Sequence, residues 1–266
     1  MPGSESDFES LRWEREGHVA TITLNRPQVL NAMSAVMFKE IGDAFERAAD
    51  DAEVRCIVLA GEGRGFCSGA DLTDPANMAS SPFELKDRMR RIHRSALAVM
   101  SCSKPTIAKV EGIAAGAGCN LALACDFVVA TPEASFAELF VKRGLVVDFG
   151  GSWVLSRALP LSKAKELALL GETMTAEEAD RLGLLYRLCD PSEVDTVVKD
   201  LAARLVALPP RSVSLIKENL NRASERSAEE SLDAEAMAQA MMFASEDTRE
   251  AVTAWVEKRE PRFTGR

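Results

Sequence analysis

Residues 111–130 read E-G-I-A-A-G-A-G-C-N-L-A-L-A-C-D-F-V-V-A, and residues 136–151 read F-A-E-L-F-V-K-R-G-L-V-V-D-F-G-G. In the first stretch Gly112, Gly116 and Gly118 are interleaved with alanines, and an apolar, helix-like run follows over residues 121–124. Residues without bulk let a main chain approach a ligand closely, and the start of a helix points free N–H groups outward. Together they predict a main-chain cradle for an anion or a developing oxyanion. Asp126 then opens a β-branched strand over residues 127–130. In the second stretch one carboxylate, Asp148, stands among Val146, Val147 and Phe149. Desolvation in such company raises the pKa of an acid and suits it to proton transfer. Asp148 also fits a second role, as the cap of a helix starting near Gly150.

Upstream of the cradle, residues 8–16 and 18–24 alternate apolar and polar about Gly17, which is a hairpin signal. From Ser34 the period changes: Phe38, Ile41, Phe45 and Ala48 recur at helical spacing. Residues 54–60 form a short apolar strand, and a glycine-rich loop spans residues 61–69. A second amphipathic helix carries Leu85, Met89, Ile92, Ala96 and Val99 on one face, and residues 106–110 are a strand. The order of strand, helix and strand predicts α/β layering with parallel pairings.

Downstream the chain turns helical, over residues 152–159, 162–170 and 194–208, with capping signals at Thr175 and Ser227. A last short strand is predicted at residues 184–189. Three more helices follow, over residues 212–223, 228–244 and 246–259. Met237, Met241, Met242 and Phe243 give this tail apolar surface for its own core or for a partner subunit.

The totals narrow the function classes. At 266 residues the chain can bury one large core, and 47% hydrophobic with 27% charged residues is ordinary globular composition. A net charge of -9 argues against a nucleic-acid surface. No apolar run approaches a membrane span, and residues 1–10 lack a signal-peptide pattern. Six cysteines without a C-x-x-C pair read as buried thiols of a reducing, cytoplasmic setting. With two histidines, His18 and His93, a multi-histidine metal centre is excluded. His93 shares a helical face with Met89, Leu97 and Met100, the position of a pocket-wall or core residue.

The segment Gly65-Phe66-Cys67-Ser68-Gly69 has two readings. It has the spacing of a nucleophile elbow with cysteine as nucleophile, which needs a helix directly afterwards and a histidine with an orienting acid. Asp71, Asp74 and Pro75 do not start such a helix, so the alternative is a loop whose N–H near Ala70 serves as a second oxyanion donor. Gly116-x-Gly118 lacks the third glycine of a dinucleotide fingerprint, since Leu121 occupies its place. Trp255 and Lys258, three apart, read as an apolar anchor beside a solvated charge on one helical face.

Taken together, Leu24-Asn-Arg-Pro27, Leu30-Asn-Ala-Met33, Gly65-Phe-Cys-Ser-Gly-Ala-Asp-Leu72, residues 112–126, residues 144–153, Ala164-Lys-Glu-Leu-Ala-Leu-Leu-Gly171 and residues 245–259 resemble the enoyl-CoA hydratase/isomerase (crotonase) superfamily. The resemblance spans nearly the whole chain. It implies an α/β crotonase-type spiral of β-β-α units over residues 1–195 and a helical C-terminal trimerisation region over residues 196–266. It further implies a homotrimer or a hexamer of two trimers. The substrate would be an acyl-CoA thioester, with coenzyme A entering as part of that substrate and no separate cofactor or metal. Its carbonyl would sit between the N–H groups of Ala70 and Ala117. Val29, Ser68 and Leu72 would line the CoA site, and Trp255 and Lys258 would reach the CoA of a neighbouring subunit. Gln28 stands where some members carry a phosphate-contacting lysine.

Departures from the family pattern bear on the chemistry. Members that hydrate enoyl-CoA hold water between two glutamates, and those positions here are Asn120 and Phe140. Neither side chain exchanges a proton at neutral pH. Asp148 matches an aspartate used by family isomerases, and V-V-D-F-G-G-S-W resembles the stretch that carries it in 2-(1,2-epoxy-1,2-dihydrophenyl)acetyl-CoA and Δ3-Δ2-enoyl-CoA isomerases. The expectation is therefore an acyl-CoA isomerase with Asp148 as catalytic base. The alternatives are a hydratase with atypical residues working through Glu138 or Asn120, a non-catalytic acyl-CoA binder, and a Cys67 thioester hydrolase.

Overall fold

A computed structural model of the chain describes residues 8–77 and 81–266. The expected hairpin is β1 (Leu11–Glu16) paired antiparallel with β2 (Val19–Leu24), turning at Gly17 with φ +57°. In α1 (Ala35–Asp50), Ser34 accepts a hydrogen bond from the Met37 N–H and the apolar positions Phe38, Ile41, Phe45 and Ala48 face the core. This is the stripe that a helical period demands. β3 (Cys56–Gly61) is buried along almost its whole length, as a central parallel strand must be. α2 (Pro82–Met100) begins at Ser81, with Pro82 in the first turn, and packs along α1. Of its expected apolar face, Ile92, Ala96 and Val99 are buried, whereas Leu85 is exposed near the helix start.

Two β-β-α turns then follow. β4 (Thr106–Val110) and β5 (Ile113–Ala115) lead into α3 (Ala117–Leu123), and β6 (Phe127–Ala130) and β7 (Ser135–Ala137) lead by way of a loop into α4 (Gly151–Ala158). α5 (Leu161–Leu170), β8 (Thr173–Thr175), α6 (Ala176–Arg181) and β9 (Arg187–Leu188) complete the layered part. The strands form a large sheet in the order β1-β2-β3-β4-β6-β9, parallel from β2 onward, and a small sheet in the order β5-β7-β8. Isolated bridges Cys67–Ala114 and Met33–Ala70 continue the small sheet outward. Each turn of the chain thus gives one strand to the large sheet and one to the small one, which is the β-β-α spiral. α7 (Val194–Val206) seals the far face of the large sheet, placing Val194, Val198 and Leu201 on Cys56, Val58, Ile107 and Val129.

Three helices follow: α8 (Pro210–Arg222), α9 (Ala228–Phe243) and α10 (Glu246–Glu257). Lys217 of α8 reaches back to Asp126 at 2.6 Å, and Thr106 donates to that same carboxylate from the start of β4. Asp247 of α10 is buried and accepts from the N–H groups of Thr264 and Gly265, tying down the C-terminal residues.

The structure corrects two expected boundaries. The strand predicted at residues 184–189 shrinks to Arg187–Leu188, because Leu184 donates to Ala179 O and Gly183 (φ +76°) turns the chain at the end of α6. α10 stops at Glu257, because Lys258 takes a left-handed capping conformation at φ 56°. Lys258 is therefore the helix cap and does not lie on a helical face with Trp255.

Candidate active site

The cradle is built where the loop after β3 crosses the start of α3. Cys67 N–H donates to Ile113 O, and Ala115 N–H donates to Cys67 O. On its other side the loop is held by Met33 N–H to Gly69 O at 2.7 Å and by Asp71 N–H to Met33 O at 2.9 Å. That alternation leaves Ala70 N–H out of both ladders. Ala117 is the first residue of α3, so its N–H has no intrahelical acceptor. Among the described residues neither amide donates a hydrogen bond to the protein. Gly69 lies at φ +96°, and a Cβ there would meet Ala115 O at 2.7 Å and Ala117 N at 3.7 Å. Only glycine lets the two strands of the cradle come this close. Gly118 is needed for the same reason, since a Cβ would fall 2.3 Å from Cys67 O.

Ionic and polar contacts fix this loop. Asp71 accepts from Thr73 N–H and Oγ1 and pairs with Arg26 at 3.0 Å. The Thr73 hydroxyl and Arg26 hold its carboxyl below the usual carboxylate range. Asn31 is fully buried and donates from Nδ2 to the carbonyls of Glu62, Gly65 and Phe66. Cys67 is buried, its Sγ contacts Asn31 O, and burial pushes its thiol up to about 12. No helix starts directly after it; residues 68–72 are loop, tied to Leu30 and Met33. A thiol so placed is no nucleophile, and the elbow reading is set aside.

Asp148 sits in the loop before α4. Its backbone carbonyl accepts from Gly151 N–H and from Asn120 Nδ2, each at 2.9 Å. Asn120 lies one helical turn past Ala117, so the aspartate loop is docked on the helix that opens the cradle. The α4 cap is Gly150, with no side-chain cap bond, and the capping role considered for Asp148 is not the one it plays. Its Oδ1 is buried without a hydrogen-bond partner among the described residues. Burial raises its pKa to about 6, partly offset by the neighbouring His93 and Arg88 of α2. Asp148 lines a cavity of about 1050 Å³, walled by Leu97 and Met100 of α2, Trp153 of α4, and Asn221 and Arg222 of α8. His93 stands on the same wall, as its helical face implied.

The remaining expected residues fall in two places. Ser68 Oγ donates to Val29 O at 3.2 Å, and Leu72 is exposed just past Asp71, so Val29, Ser68 and Leu72 form an outer rim beside Ala70. Trp255 is 81% exposed on α10, and no hydrogen bond or ion pair joins it or Lys258 to that rim among the described residues. The two positions that the family resemblance assigns to hydratase glutamates hold Asn120, fully buried, and Phe140, whose ring stands about 3.6 Å from where a Gly116 Cβ would be.

A family model described as enoyl-CoA hydratase/isomerase matches residues 14–266. The chain belongs to the enoyl-CoA hydratase/isomerase family. A probable enoyl-CoA hydratase of Rhodobacter capsulatus is 39% identical over 260 residues, covering 97% of this chain and 99% of that protein. The 1,2-epoxyphenylacetyl-CoA isomerase of Escherichia coli is 36% identical over 253 residues, covering 94% of this chain and 97% of that one. The crystal structure of an enoyl-CoA hydratase from Polaromonas sp. JS666 superposes with a TM-score of 0.90 at 33% identity, over 95% of this chain and 99% of the other. The crotonase-type fold and the enoyl-CoA hydratase/isomerase family are thus established, and an acyl-CoA substrate is consistent with that family. Both reaction types occur among these relatives.

Sequence reasoning underrated two residues of this family member. Asn31 looked like one letter of a motif, yet it satisfies three carbonyls of the cradle loop. Glu138 was weighed only as a substitute base. It is 0% exposed, unlined by the cavity, and burial raises its carboxyl to about 8. A glutamate between Ala137 and Leu139 is the signal that pointed to it.

Proposed function

We propose that the chain is an acyl-CoA isomerase that moves a carbon–carbon double bond by proton transfer. The Asp148 carboxylate removes a proton from C2 of a 3-enoyl thioester, and the electron pair moves onto the thioester oxygen as a dienolate. The N–H groups of Ala70 and Ala117 hold that oxygen. Asp148 then returns the proton to C4, leaving the 2-enoyl thioester. Val29, Ser68 and Leu72 contact the CoA portion. Trp255 and Lys258 contact it from a neighbouring subunit of a homo-oligomer, a trimer or a pair of trimers.

The observation that carries this reading is the Asp148 carboxyl itself. It is a half-buried acid on the cavity wall whose Oδ1 has no hydrogen-bond partner among the described residues, while Asn120 and Phe140 stand where the family resemblance puts the two glutamates of a hydratase. One oxyanion donor is worth roughly 10²–10³ in rate and a positioned base about 10²–10⁴. The test is isomerisation of 3-hexenoyl-CoA measured beside hydration of crotonyl-CoA. Asp148→Asn is expected to abolish isomerisation while thioester binding persists. Full turnover in that variant, or hydration far faster than isomerisation in the parent, overturns the proposal.

A further inference from the structure

Four buried polar atoms in and behind the site lack a hydrogen-bond partner among the described residues: Asn120 Oδ1, both carboxyl oxygens of Glu138, and Asp148 Oδ1. Buried polar groups in folded proteins are almost always satisfied, so each orphan needs a physical account. The first three belong to neighbours, because the polar side chains beside Glu138 are Cys119 and Asn120, both on α3. The orientation of the Asn120 amide is fixed. Its Nδ2 donates to Asp148 O at 2.9 Å, and the flipped amide would set Oδ1 against that carbonyl. Asn120 Oδ1 is therefore the atom not used by the Asp148 carbonyl; the amide lies against Gly151, where a Cβ would fall 2.4 Å from Oδ1, and that oxygen asks for a donor.

We propose that Glu138 is a positioning residue held as a neutral carboxylic acid, whose O–H donates to Asn120 Oδ1 and thereby locks the amide that carries the Asp148 loop. The chain of donors then runs one way. The Cys119 S–H donates to Glu138, the Glu138 O–H to Asn120, and the Asn120 N–H to the Asp148 carbonyl. This satisfies Asn120 Oδ1 and both Glu138 oxygens, and of the four only Asp148 Oδ1 is left without a partner. A neutral acid is the form that a fully buried carboxyl prefers. Burial is the largest influence on the Glu138 carboxyl and raises it; the Cys119 and Asn120 side chains lower it by less, and the negative charge of Asp148 adds a smaller upward push. Burial and Glu138 in turn keep the Cys119 thiol well above its ordinary value. His93 and Arg88 face Asp148 from α2. The carboxyl of Glu138 titrates at about 8, so the lock is closed at neutral pH and opens above it.

The kinetic consequence rests on Asp148 being the base, whereas the protonation state does not, so the two are tested separately. At pH 7, infrared difference spectra between the parent and Glu138→Gln proteins, which do not depend on turnover, should show the C=O stretch of a neutral carboxylic acid. A carboxylate band in its place overturns the proposal whatever the reaction proves to be. In the Asp148 protein, Glu138→Gln keeps a donor and is expected to retain most of kcat while losing the alkaline fall centred near pH 8. Glu138→Leu has no donor and should lose roughly 10²-fold in kcat with KM little changed, the scale of a misplaced catalytic group. Equal kcat in the Gln and Leu variants, or an unshifted alkaline limb in Glu138→Gln, also overturns it. If the acid band is present but no turnover exists in the parent, the isomerase reading fails and the lock stands.

Discussion

At the residue scale, Asp148 carries a cost that is the counterpart of its proposed use. Its carboxyl ionises near 3.8 in an unfolded chain and at about 6 in the fold. Between those values the folded state binds more protons, so the contribution of Asp148 to stability is full below the lower value and is lost as pH rises through the upper one. At pH 7 the ionised, half-buried carboxylate opposes folding. Asp148→Asn should therefore raise the thermal midpoint at pH 7 by several degrees, on the order of 1–3 kcal/mol, and by much less at pH 4. Thermal denaturation of both proteins at the two pH values checks this, and an equal gap at both rules the linkage out. The same titration sets the rate: a base must be deprotonated, so kcat/KM should fall as pH drops through about 6. A pH–rate profile with no acid limb in that region excludes Asp148 as the base.

At the scale of elements, the cradle depends on α3 and the loop after β3 lying backbone to backbone. α3 has only seven residues and no side-chain cap, and its entry residue Gly116 adopts φ 52°, ψ -126°, which side chains resist. What holds the two elements together is the pair of ladder bonds between Cys67 and residues 113–115, with Gly118 allowing the approach. In Gly118→Ala the new methyl meets main chain, which cannot swing aside, so Cys67 and its neighbours up to Ala70 must shift. The expected cost is about 1–3 kcal/mol of stability and roughly 10²–10³ in kcat, since one oxyanion donor moves out of line. Denaturant unfolding and steady-state kinetics on the one variant read both. A variant with the stability loss but unchanged kcat would separate the cradle from catalysis.

At the scale of the whole molecule, α9 and α10 present an apolar surface that nothing among the described residues covers. Met237, Met241, Phe243, Val252, Trp255 and Val256 are all exposed, and α9 has no buried residue despite a complete capping box. Exposed apolar area of this kind marks an interaction face. Self-association is expected, with Phe243→Glu shifting sedimentation toward the monomer; an unchanged oligomer, or a monomeric parent, removes that expectation. The long periodic segments were legible in the chain itself. A 3.6-residue apolar stripe and its capping residues stand within one helix, so α1, α2 and α7 to α10 could be read locally. β4 and β6 could be read in the same way, from short apolar stretches, and so could the glycines that only a main-chain cradle requires. The three-residue strands β5, β7 and β8 were not, because three residues carry no alternation, and their pairing comes from the spiral. Nor could the sequence show that Asn31 serves the carbonyls of Glu62, Gly65 and Phe66, or that Lys258 ends α10 as its cap. Local pattern determined which segments are helix or strand and which acid stands among apolar neighbours. Tertiary structure decided which N–H groups are left free, which carboxyl faces the cavity and which is sealed behind it, because those depend on contacts between residues far apart along the chain.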